Sequence, residues 1–372
     1  MHVCVNMSIT SRVWSVNREY KHDAQQFVIM GCEFKRVVLV GGSGFLGLHL
    51  IEAFWNLEPR PEIHVIDIRE LPDIPKCLTF DKSAITVHNA NITVKHEITA
   101  VLDNVQPEVV VHSASPIHGL GPQVYHQVNV VGTQKLLEAC TEHKSVKAFV
   151  YTSSSGVVFC GDDLYGVNEE MPFPAKAMDA YNETKQLGEE LVLKSNCPDL
   201  KTIALRPAGI FGPGDRQMIP NLKLVAQRNQ HRVQLGANNN LFDVTYVGNV
   251  AHSHVLGANA LCGPEADKVA GQAFFITNDE PIFFWSFARV IYASEGKYDM
   301  PKIVIPLKLA VGLGYLSQWV CKLIGKDPSF TAFRVRTACA TRYYDITKAK
   351  TLLNYKPKWT LEEAVAVTLA NE

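Results

Sequence analysis

The sequence predicts an α/β protein with a doubly wound parallel sheet and a smaller, mostly helical carboxyl-terminal region. Three observations support this prediction: short β-branched runs alternate with longer helical patterns, a glycine-rich turn follows the first run, and the pattern changes after Arg206. The runs are almost uniformly apolar, as is typical of parallel strands that are buried on both faces. Alternation at this spacing favours right-handed βαβ units.

The predicted elements follow one another in regular order. The strands are 36–41, 62–67, 84–89, 108–112, 147–153 and 201–205, and the helices between them are 45–56, 96–104, 124–143 and 180–195. Residues 206–220 are rich in Gly and Pro and predict a loop. A strand at 273–278 is expected to return to the sheet, and 283–372 is expected to be mostly helical.

The 372 residues are enough for two domains or one large α/β unit. Residues 35–205 are interpreted as a nucleotide-binding domain, completed by the strand near 273–278, and 206–372 as mainly a substrate-binding region. Residues 1–34 are polar and aperiodic, and are expected to be a disordered or spurious extension.

Charge and cysteine content exclude several classes of protein. The net charge is −1, and no basic run is present, which argues against a nucleic-acid partner. The nine cysteines are scattered and never form CxxC, so we expect reduced thiols and neither a disulfide framework nor a metal site.

The segment 303–324 is the most apolar part of the chain but is interrupted by Lys308, Gln318 and Lys322. A membrane-spanning helix is therefore not expected. Two alternatives stay open: a helix that lies at a membrane surface, or an ordinary helix packed on the core. The residues expected to share one apolar face are Leu313, Tyr315, Leu316, Trp319, Val320 and Leu323.

The glycine-rich turn GGSGFLG carries Gly41, Gly44 and Gly47 between a predicted strand and a predicted helix. This context is typical of the dinucleotide-binding Rossmann fold. Gly41 permits the tight turn, Gly44 lets a pyrophosphate approach the backbone, and Gly47 lets the helix pack closely on the sheet. The N–H groups at the start of the helix then face the phosphates.

The predicted second strand ends at Asp67, where a carboxylate can accept hydrogen bonds from an adenosine ribose. Because it would repel a 2′-phosphate, Asp67 favours NAD over NADP. Arg69 weakens this preference, so NADP stays possible. Asn91, after the third predicted strand, is a further candidate for a contact with adenine.

The stretch YNETK places Tyr181 and Lys185 four residues apart, on one face of a predicted helix. The Lys185 ammonium is expected to lower the pKa of Tyr181, so that the phenol acts as a general base. Ser154, at the end of a predicted strand, can donate a hydrogen bond to the substrate oxygen. Two further YxxxK motifs, which begin at Tyr298 and Tyr344, are interpreted as surface or packing tyrosines.

These motifs occur in a familiar order and spacing. With HSASP, VNVVGT, YTSSSGVVF and LRPAGIFGPGDR, they resemble those of the extended short-chain dehydrogenase/reductases, and softer blocks in 238–357 resemble the 3β-hydroxysteroid dehydrogenase branch. The resemblance covers about residues 36–370. It implies that Tyr181 is the catalytic base, Lys185 binds the ribose and lowers the pKa of the base, Ser154 polarises the hydroxyl, and Asn129 supports the cofactor.

The resemblance also implies an activity and a location. The activity is the NAD-dependent oxidation of the 3β-hydroxyl of a 4α-carboxysterol, with loss of the carboxylate as CO₂, in the C4 demethylation of ergosterol synthesis. The expected partners are the sterol, other enzymes of that pathway, a membrane surface and a second copy of the chain. The expected location is the cytosolic face of the endoplasmic reticulum membrane.

A substrate carboxylate needs a cation, for which Arg216 and His118 are candidates. Three other functions stay open: a different steroid dehydrogenase, a sugar-nucleotide epimerase of the same superfamily, or a dinucleotide-binding protein without activity. The presence of Tyr181, Lys185 and Ser154 argues against the last, and the aromatic carboxyl-terminal half argues against the epimerase.

Overall fold

The computed structural model describes residues 34–117, 119–325, 328 and 330–371. Apart from Phe34, the extension expected at 1–34 lies outside the described residues, and so does His118.

The described residues form a central sheet of seven parallel strands. These are Arg36–Val40 (β1), Glu62–Asp67 (β2), Thr86–Asn89 (β3), Val109–His112 (β4), Ala148–Thr152 (β5), Lys201–Pro207 (β6) and Gln272–Ile276 (β7). Their order in the sheet is β7-β6-β5-β4-β1-β2-β3, so the chain winds outward in both directions from β1. The predicted fold class is confirmed, and the strand predicted at 273–278 joins β6 as β7.

Helices cover both faces of this sheet. The longer helices of the described residues, on the sheet and in the carboxyl-terminal region, are Phe45–Trp55 (α1), Lys95–Val105 (α2), Thr133–Glu142 (α3), Ala180–Lys194 (α4), Met218–Gln227 (α5), Val247–Cys262 (α6), Phe284–Ser294 (α7), Leu307–Leu323 (α8), Ala332–Cys339 (α9), Thr347–Leu352 (α10) and Leu361–Ala370 (α11). Of the four helices predicted in the first two thirds, those at 45–56, 96–104 and 180–195 are confirmed to within a residue or so at their ends. Asp179 caps α4 by accepting the Asn182 N–H at 2.7 Å, which fixes where the helix begins.

The helix predicted at 124–143 contains an irregular section. A short α-helical turn, Pro122–Tyr125, continues through a π-helical segment, His126–Gly132, into α3. Such segments are rare and occur often at functional sites. This one carries the buried Asn129.

Two hydrophobic cores flank the sheet, as the alternation along β1 requires. Val37 and Leu39 belong to one core, and Val38 and Val40 belong to the other, and all four are fully buried. Because both faces are covered, the polar groups of the site must lie at the carboxyl edge of the sheet, where the strands end.

The carboxyl-terminal region is helical, but it also contains short strands that the sequence did not indicate. Gly209–Phe211 pairs with Val244–Tyr246, so the segment predicted as a loop at 206–220 begins as strand and ends inside α5. Other short strands are Leu164–Val167, Val233–Leu235, Leu241–Phe242, Ile282–Phe283, Ile303–Ile305 and Arg342–Tyr344. Two to four residues are too few to show a period in the sequence.

Helix α8 presents apolar side chains outward. Trp319 is 62% exposed and Leu323 is 66% exposed, while Ala310 and Gly314 are its buried residues. The interpretation of this segment as an ordinary core helix is therefore wrong. Across the described ranges, no helix has the length and hydropathy needed to cross a bilayer.

Candidate active site

The glycine-rich turn lies between β1 and α1 at the carboxyl edge of the sheet. Gly41 has φ +86°, and a Cβ there would lie 2.7 Å from the backbone of Ala114, so the end of β4 leaves room only for glycine. A Cβ on Gly47 would lie 2.2 Å from the Gly41 carbonyl oxygen, because α1 packs directly on the turn. Both glycines are required by close packing.

Gly44 differs from these two glycines, because it is the N-cap of α1 and no side chain caps the helix there. A Cβ on Gly44 would meet, among the described atoms within 4 Å, the Gly41 carbonyl oxygen alone, at 3.1 Å. The turn therefore combines open backbone with the positive end of a helix, an arrangement that suits a pyrophosphate.

Asp67 lies at the end of β2 beside this turn and is 8% exposed. Its carboxylate accepts the backbone N–H of Ser43 at 3.1 Å and the backbone N–H of Arg69 at 3.1 Å. The Arg69 guanidinium lies 3.4 Å from the same carboxylate and is mostly exposed. Asp67 thus lies beside the turn and is paired with Arg69, and its contact with a ribose stays a prediction.

The two predicted asparagines have different surroundings. Asn91 is exposed, and its side-chain oxygen accepts the N–H of Thr93 at 3.0 Å, which shapes the turn before α2. Asn129 is 1% exposed and bridges Ser115 at 2.9 Å and Thr184 at 3.1 Å. Asn129 therefore ties the π-helical segment and the end of β4 to helix α4.

Tyr181 stands in the first turn of α4 and is partly buried. Its hydroxyl is hydrogen-bonded to the side chains of Ser154 and Ser115, and its ring packs edge-on against Tyr125 with centroids 5.7 Å apart. Burial raises the pKa of Tyr181 to about 12, with a smaller contribution from Asp179, while the two serines lower it.

Lys185 lies one turn further along α4 and is 2% exposed. Its ammonium donates to the Thr152 carbonyl oxygen and lies 4.3 Å from the centre of the Tyr151 ring. Burial lowers the pKa of Lys185 to about 7, and the nearby Glu189 carboxylate raises it. The Lys185 ammonium is thus directed at a backbone carbonyl in this arrangement, and its predicted effect on the pKa of Tyr181 stays a prediction.

Ser154 follows β5 and caps a 3₁₀ turn, where its hydroxyl accepts the Gly156 N–H at 3.1 Å. Ser115 also contacts the Tyr181 hydroxyl, and sequence reasoning missed it as a site residue. The only signal was its position in HSASP, directly after β4, at the same sheet edge as Ser154. The structure thus brings Tyr181, Lys185 and Ser154 together at this edge.

Comparison with known proteins identifies the family of this site. The model of the 3-beta hydroxysteroid dehydrogenase/isomerase family matches residues 38–307. The chain is 48% identical to the sterol-4-alpha-carboxylate 3-dehydrogenase, decarboxylating, of Saccharomyces cerevisiae over 90% of this chain and 97% of the relative. It is 37% identical to the Mus musculus protein of that name, over 90% of each chain.

The chain belongs to the 3β-hydroxysteroid dehydrogenase/isomerase family. As a member, it is an oxidoreductase. Solved structures show the same fold: UDP-glucose 4-epimerase of Thermus thermophilus in complex with NAD has a TM-score of 0.64 at 19% identity, over 90% of this chain and 98% of that chain. At this identity the likeness concerns the fold alone.

Two candidates for the substrate carboxylate were predicted in this 3β-hydroxysteroid dehydrogenase family member. Arg216 is exposed, next to Asp215, whose carboxylate accepts the backbone N–H groups of Gln217 and Ile219 at 2.8 Å each and so begins α5. His118 lies outside the described residues. The role of Arg216 as the cation for the substrate carboxylate therefore stays a prediction.

The other two YxxxK motifs of this family member are structural. Tyr298 is 58% exposed. Tyr344 is 7% exposed and stacks on Phe275 with ring centroids 4.6 Å apart. Their interpretation as surface and packing tyrosines is confirmed.

Proposed function

We propose that the chain is an NAD-dependent sterol-4α-carboxylate 3-dehydrogenase that also decarboxylates its product. The observation that carries this proposal is the 48% identity, over nearly the full length of both chains, to the yeast enzyme of that name. The contact between Tyr181 and Ser154 beside an open glycine turn supports it, because this chemistry needs an acid–base group next to a dinucleotide.

In the oxidation step, Tyr181 removes the proton of the sterol 3β-hydroxyl, and Ser154 holds that oxygen by a hydrogen bond. Bound NAD⁺ supplies the acceptor for the hydride that leaves C3. Gly41, Gly44 and Gly47 would hold its pyrophosphate, Asp67 its adenosine ribose and Lys185 its second ribose. Asn91 is proposed to contact the adenine, and Asn129 supports this side of the site.

The high pKa of Tyr181, about 12, sets a condition on this step. A phenol with this pKa is almost fully protonated near neutral pH, so a positive charge must approach it before it can act as a base. Lys185 can supply that charge if its ammonium leaves the Thr152 carbonyl and turns towards the cofactor and Tyr181. We therefore expect cofactor binding and base activation to be coupled through Lys185.

The product of oxidation is a β-keto acid. The bond between C4 and the carboxylate breaks, its electron pair becomes the enolate of the new ketone, and CO₂ leaves. Ser154 and the protonated Tyr181 donate hydrogen bonds to the enolate oxygen. C4 then takes up a proton, which gives the 3-keto sterol.

The decisive experiment is incubation with NAD⁺ and a 4α-carboxysterol, with NADH absorbance and release of the carboxyl carbon measured together. We expect the two products in equal amounts, and neither from Tyr181→Phe. Release of CO₂ from the hydroxy acid without NADH would refute the proposed order. NADP⁺ in place of NAD⁺ would show whether NADP is also used.

We further propose that 35–205, with β7, binds the cofactor and that 206–372 mainly binds the sterol, with Arg216 or His118 near its carboxylate. For Arg216, the test is Arg216→Ala, which is expected to raise the KM of the carboxysterol. A decarboxylated 3β-hydroxysterol serves as control, since its KM should not change. An unchanged KM for the carboxysterol would exclude Arg216.

Helix α8 supports a second part of the proposal: that the protein works at a membrane surface, at the cytosolic face of the endoplasmic reticulum. Leu316, Trp319 and Leu323 are all more than half exposed on this helix, and Lys322 lies among them. An apolar face with an aromatic ring and lysines suits the headgroup boundary. A sterol that partitions into lipid would reach the site from there.

Vesicle flotation tests this surface. We expect the full chain to float with phosphatidylcholine vesicles, and the double variant Leu316→Ser/Trp319→Ser to lose most of the binding. Tyr165→Ser is the control, because Tyr165 is 64% exposed but lies elsewhere. Unchanged flotation would refute the membrane role, and a dimer lost in the double variant would assign the face to a second copy of the chain.

Association with other enzymes of sterol C4 demethylation is proposed from the family alone.

A further inference from the structure

One face of helix α4 carries three functional groups at intervals of four residues: Tyr181, Lys185 and Glu189. Residues at this spacing lie above one another along a helix. Each of them contacts one of three consecutive residues at the end of β5. Tyr181 is hydrogen-bonded to Ser154, Lys185 donates to the Thr152 carbonyl, and Glu189 accepts from Ser153.

The third contact is the most deeply buried. Glu189 is 0% exposed, and its carboxylate accepts the Ser153 hydroxyl at 2.5 Å. The guanidinium of Arg206, on β6, donates two hydrogen bonds to the same carboxylate, from Nη2 at 2.6 Å and from Nε at 3.0 Å. Arg206 itself is 5% exposed. The carboxylate is thus held at both oxygens by an ion pair and a hydrogen bond that the protein encloses completely.

We propose that Glu189 is a positioning residue of the dehydrogenase. Its carboxylate clamps Ser153, and with it the backbone that presents the Ser154 hydroxyl and the Thr152 carbonyl. Its negative charge also lies one helical turn from Lys185 and favours the ammonium form of that side chain. The inference rests on the proposed function, because it assigns Glu189 to the support of Lys185 and Ser154 in that reaction.

The groups around Lys185 agree with this role. Burial lowers the pKa of Lys185 to about 7, and Glu189 is the carboxylate that raises it. Burial holds His112, on β4, and His254, on α6, in their neutral forms, since it lowers their pKa to about 3 and about 4. Tyr151, on β5, is neutral because burial raises its pKa.

The other charged groups around Glu189 are the cations Arg206 and Lys348 and the carboxylate of Glu169, which interacts with both cations. Arg206 lies against Glu189 on β6, and Lys348, on α10, donates to the Ala273 carbonyl oxygen at 3.0 Å. Burial lowers the pKa of Lys348; Glu169 raises it, and Arg206 and Glu189 act on it in opposite directions. Glu189 is the carboxylate that raises the pKa of Lys185, so without its charge Lys185 would lose its proton at a lower pH.

The test separates the effect of the Glu189 charge from the effect of its hydrogen bond to Ser153. Glu189→Gln keeps the oxygen that accepts from Ser153 but removes the charge, and Glu189→Gln/Arg206→Met also removes the guanidinium left without a partner. Glu189→Asp keeps the charge on a shorter side chain. Ser153→Ala removes the clamped hydroxyl and leaves the carboxylate. Thermal unfolding identifies the variants that fold, and the readouts are NADH affinity by fluorescence and kcat, both against pH.

For the double variant, we expect NADH affinity and kcat to fall on the alkaline side, with a midpoint at a lower pH than that of the wild type. Glu189→Asp should restore the wild-type midpoint. Ser153→Ala should lower kcat about tenfold without moving the midpoint or the KM. If Glu189→Gln does not fold, Glu189→Gln/Arg206→Met, which leaves no guanidinium without a partner, tests the charge, and Ser153→Ala tests the clamp.

An unshifted midpoint in a folded charge-free variant would overturn the role of the charge, and full kcat in Ser153→Ala would overturn the clamp. The NADH measurement needs no sterol. A shift in NADH affinity in an enzyme that does not oxidise carboxysterols would therefore refute the proposed function while leaving the inference about Lys185 in place.

Discussion

The Asp67 carboxylate accepts the backbone N–H of Ser43 at 3.1 Å, inside the glycine-rich turn. The Ser43 hydroxyl in turn donates to the Arg69 carbonyl oxygen at 2.9 Å, so the end of β2 and the turn hold each other. The carboxylate proposed to recognise the ribose is therefore also part of the structure that supports the pyrophosphate site.

This double role leads to the first prediction. Asp67→Asn keeps an oxygen for the Ser43 N–H but removes the negative charge, so we expect kcat/KM to shift towards NADP⁺ by roughly tenfold, about 1.4 kcal/mol. Asp67→Ala should lose the hydrogen bonds as well and lower the free energy of unfolding by about 1–3 kcal/mol. Steady-state kinetics with both cofactors and urea unfolding measure the two effects. Equal stability of the two variants would contradict the supporting role.

The glycines of the turn offer a matched pair. Gly47→Ala places a methyl group 2.2 Å from the Gly41 oxygen and should cost about 1–3 kcal/mol of stability. Gly44→Ala meets that oxygen at 3.1 Å and should fold almost normally, but its methyl group stands where a phosphate would approach. We expect Gly44→Ala to lose NADH affinity with little change in Tm. A Gly44→Ala variant with normal NADH affinity would place the pyrophosphate elsewhere.

The serines that contact Tyr181 should control its pKa. Both hydrogen bonds lower the pKa of the phenol, so removing either one raises it further. Since oxidation needs the deprotonated phenol, kcat should fall near neutral pH and recover as the pH rises. We expect a loss of roughly 10²-fold for Ser154→Ala and a smaller loss for Ser115→Ala. A uniform loss at every pH would show that the serines act in another way.

Two glycines of α8 test how this helix is held. A Cβ on Gly314 would lie 2.5 Å from the Ala332 backbone nitrogen, whereas one on Gly312 would meet no described atom within 4 Å. Gly314→Ala should therefore separate α8 from α9 and lower Tm. Gly312→Ala should stabilise the helix by about 0.5–1 kcal/mol. Equal melting temperatures for the two variants would contradict the close packing at Gly314.

Asp243 makes stability depend on pH. Burial raises its pKa to about 7; one oxygen accepts the Tyr344 N–H at 2.9 Å, and the other has no partner among the described residues. The folded state thus binds a proton that the unfolded state releases, so the free energy of unfolding should fall as pH rises from about 4 to about 7. Asp243→Asn should flatten this slope and gain about 1–3 kcal/mol at pH 8. Calorimetry near the two ends of this pH range measures the free energy of unfolding. An unchanged dependence on pH in Asp243→Asn would show that Asp243 does not cause it.

The central sheet could be predicted from the sequence because its strands carry a strong local signal. Uniformly apolar runs such as 36–41 and 62–67 are bounded by glycine or charged residues, and the structure ends them within a residue or two of the prediction. The short strands near 209 and 342 could not be predicted, since each exists only through pairing with a distant segment. Such pairing leaves no period in two or three residues.

The residues of the site also differ in whether the sequence could predict them. Tyr181, Lys185 and the glycines belong to motifs whose spacing reflects one helix or one turn, so their placement followed from local geometry. Ser115 could not be identified in this way, because its contact with Tyr181 depends on the way the end of β4 packs against α4. The direction of the Lys185 ammonium, towards Thr152, depends likewise on tertiary packing.

Because of the π-helical segment at His126–Gly132, the number of residues in this part of the chain determines how the helix before it is oriented. A π-helical turn holds one more residue than an α-helical turn. Deletion of one residue there would let the helix become regular and rotate everything before it by about 100° relative to α3. Tyr125 would then turn away from the Tyr181 ring, so the enzyme should be more sensitive to a one-residue deletion here than to many substitutions.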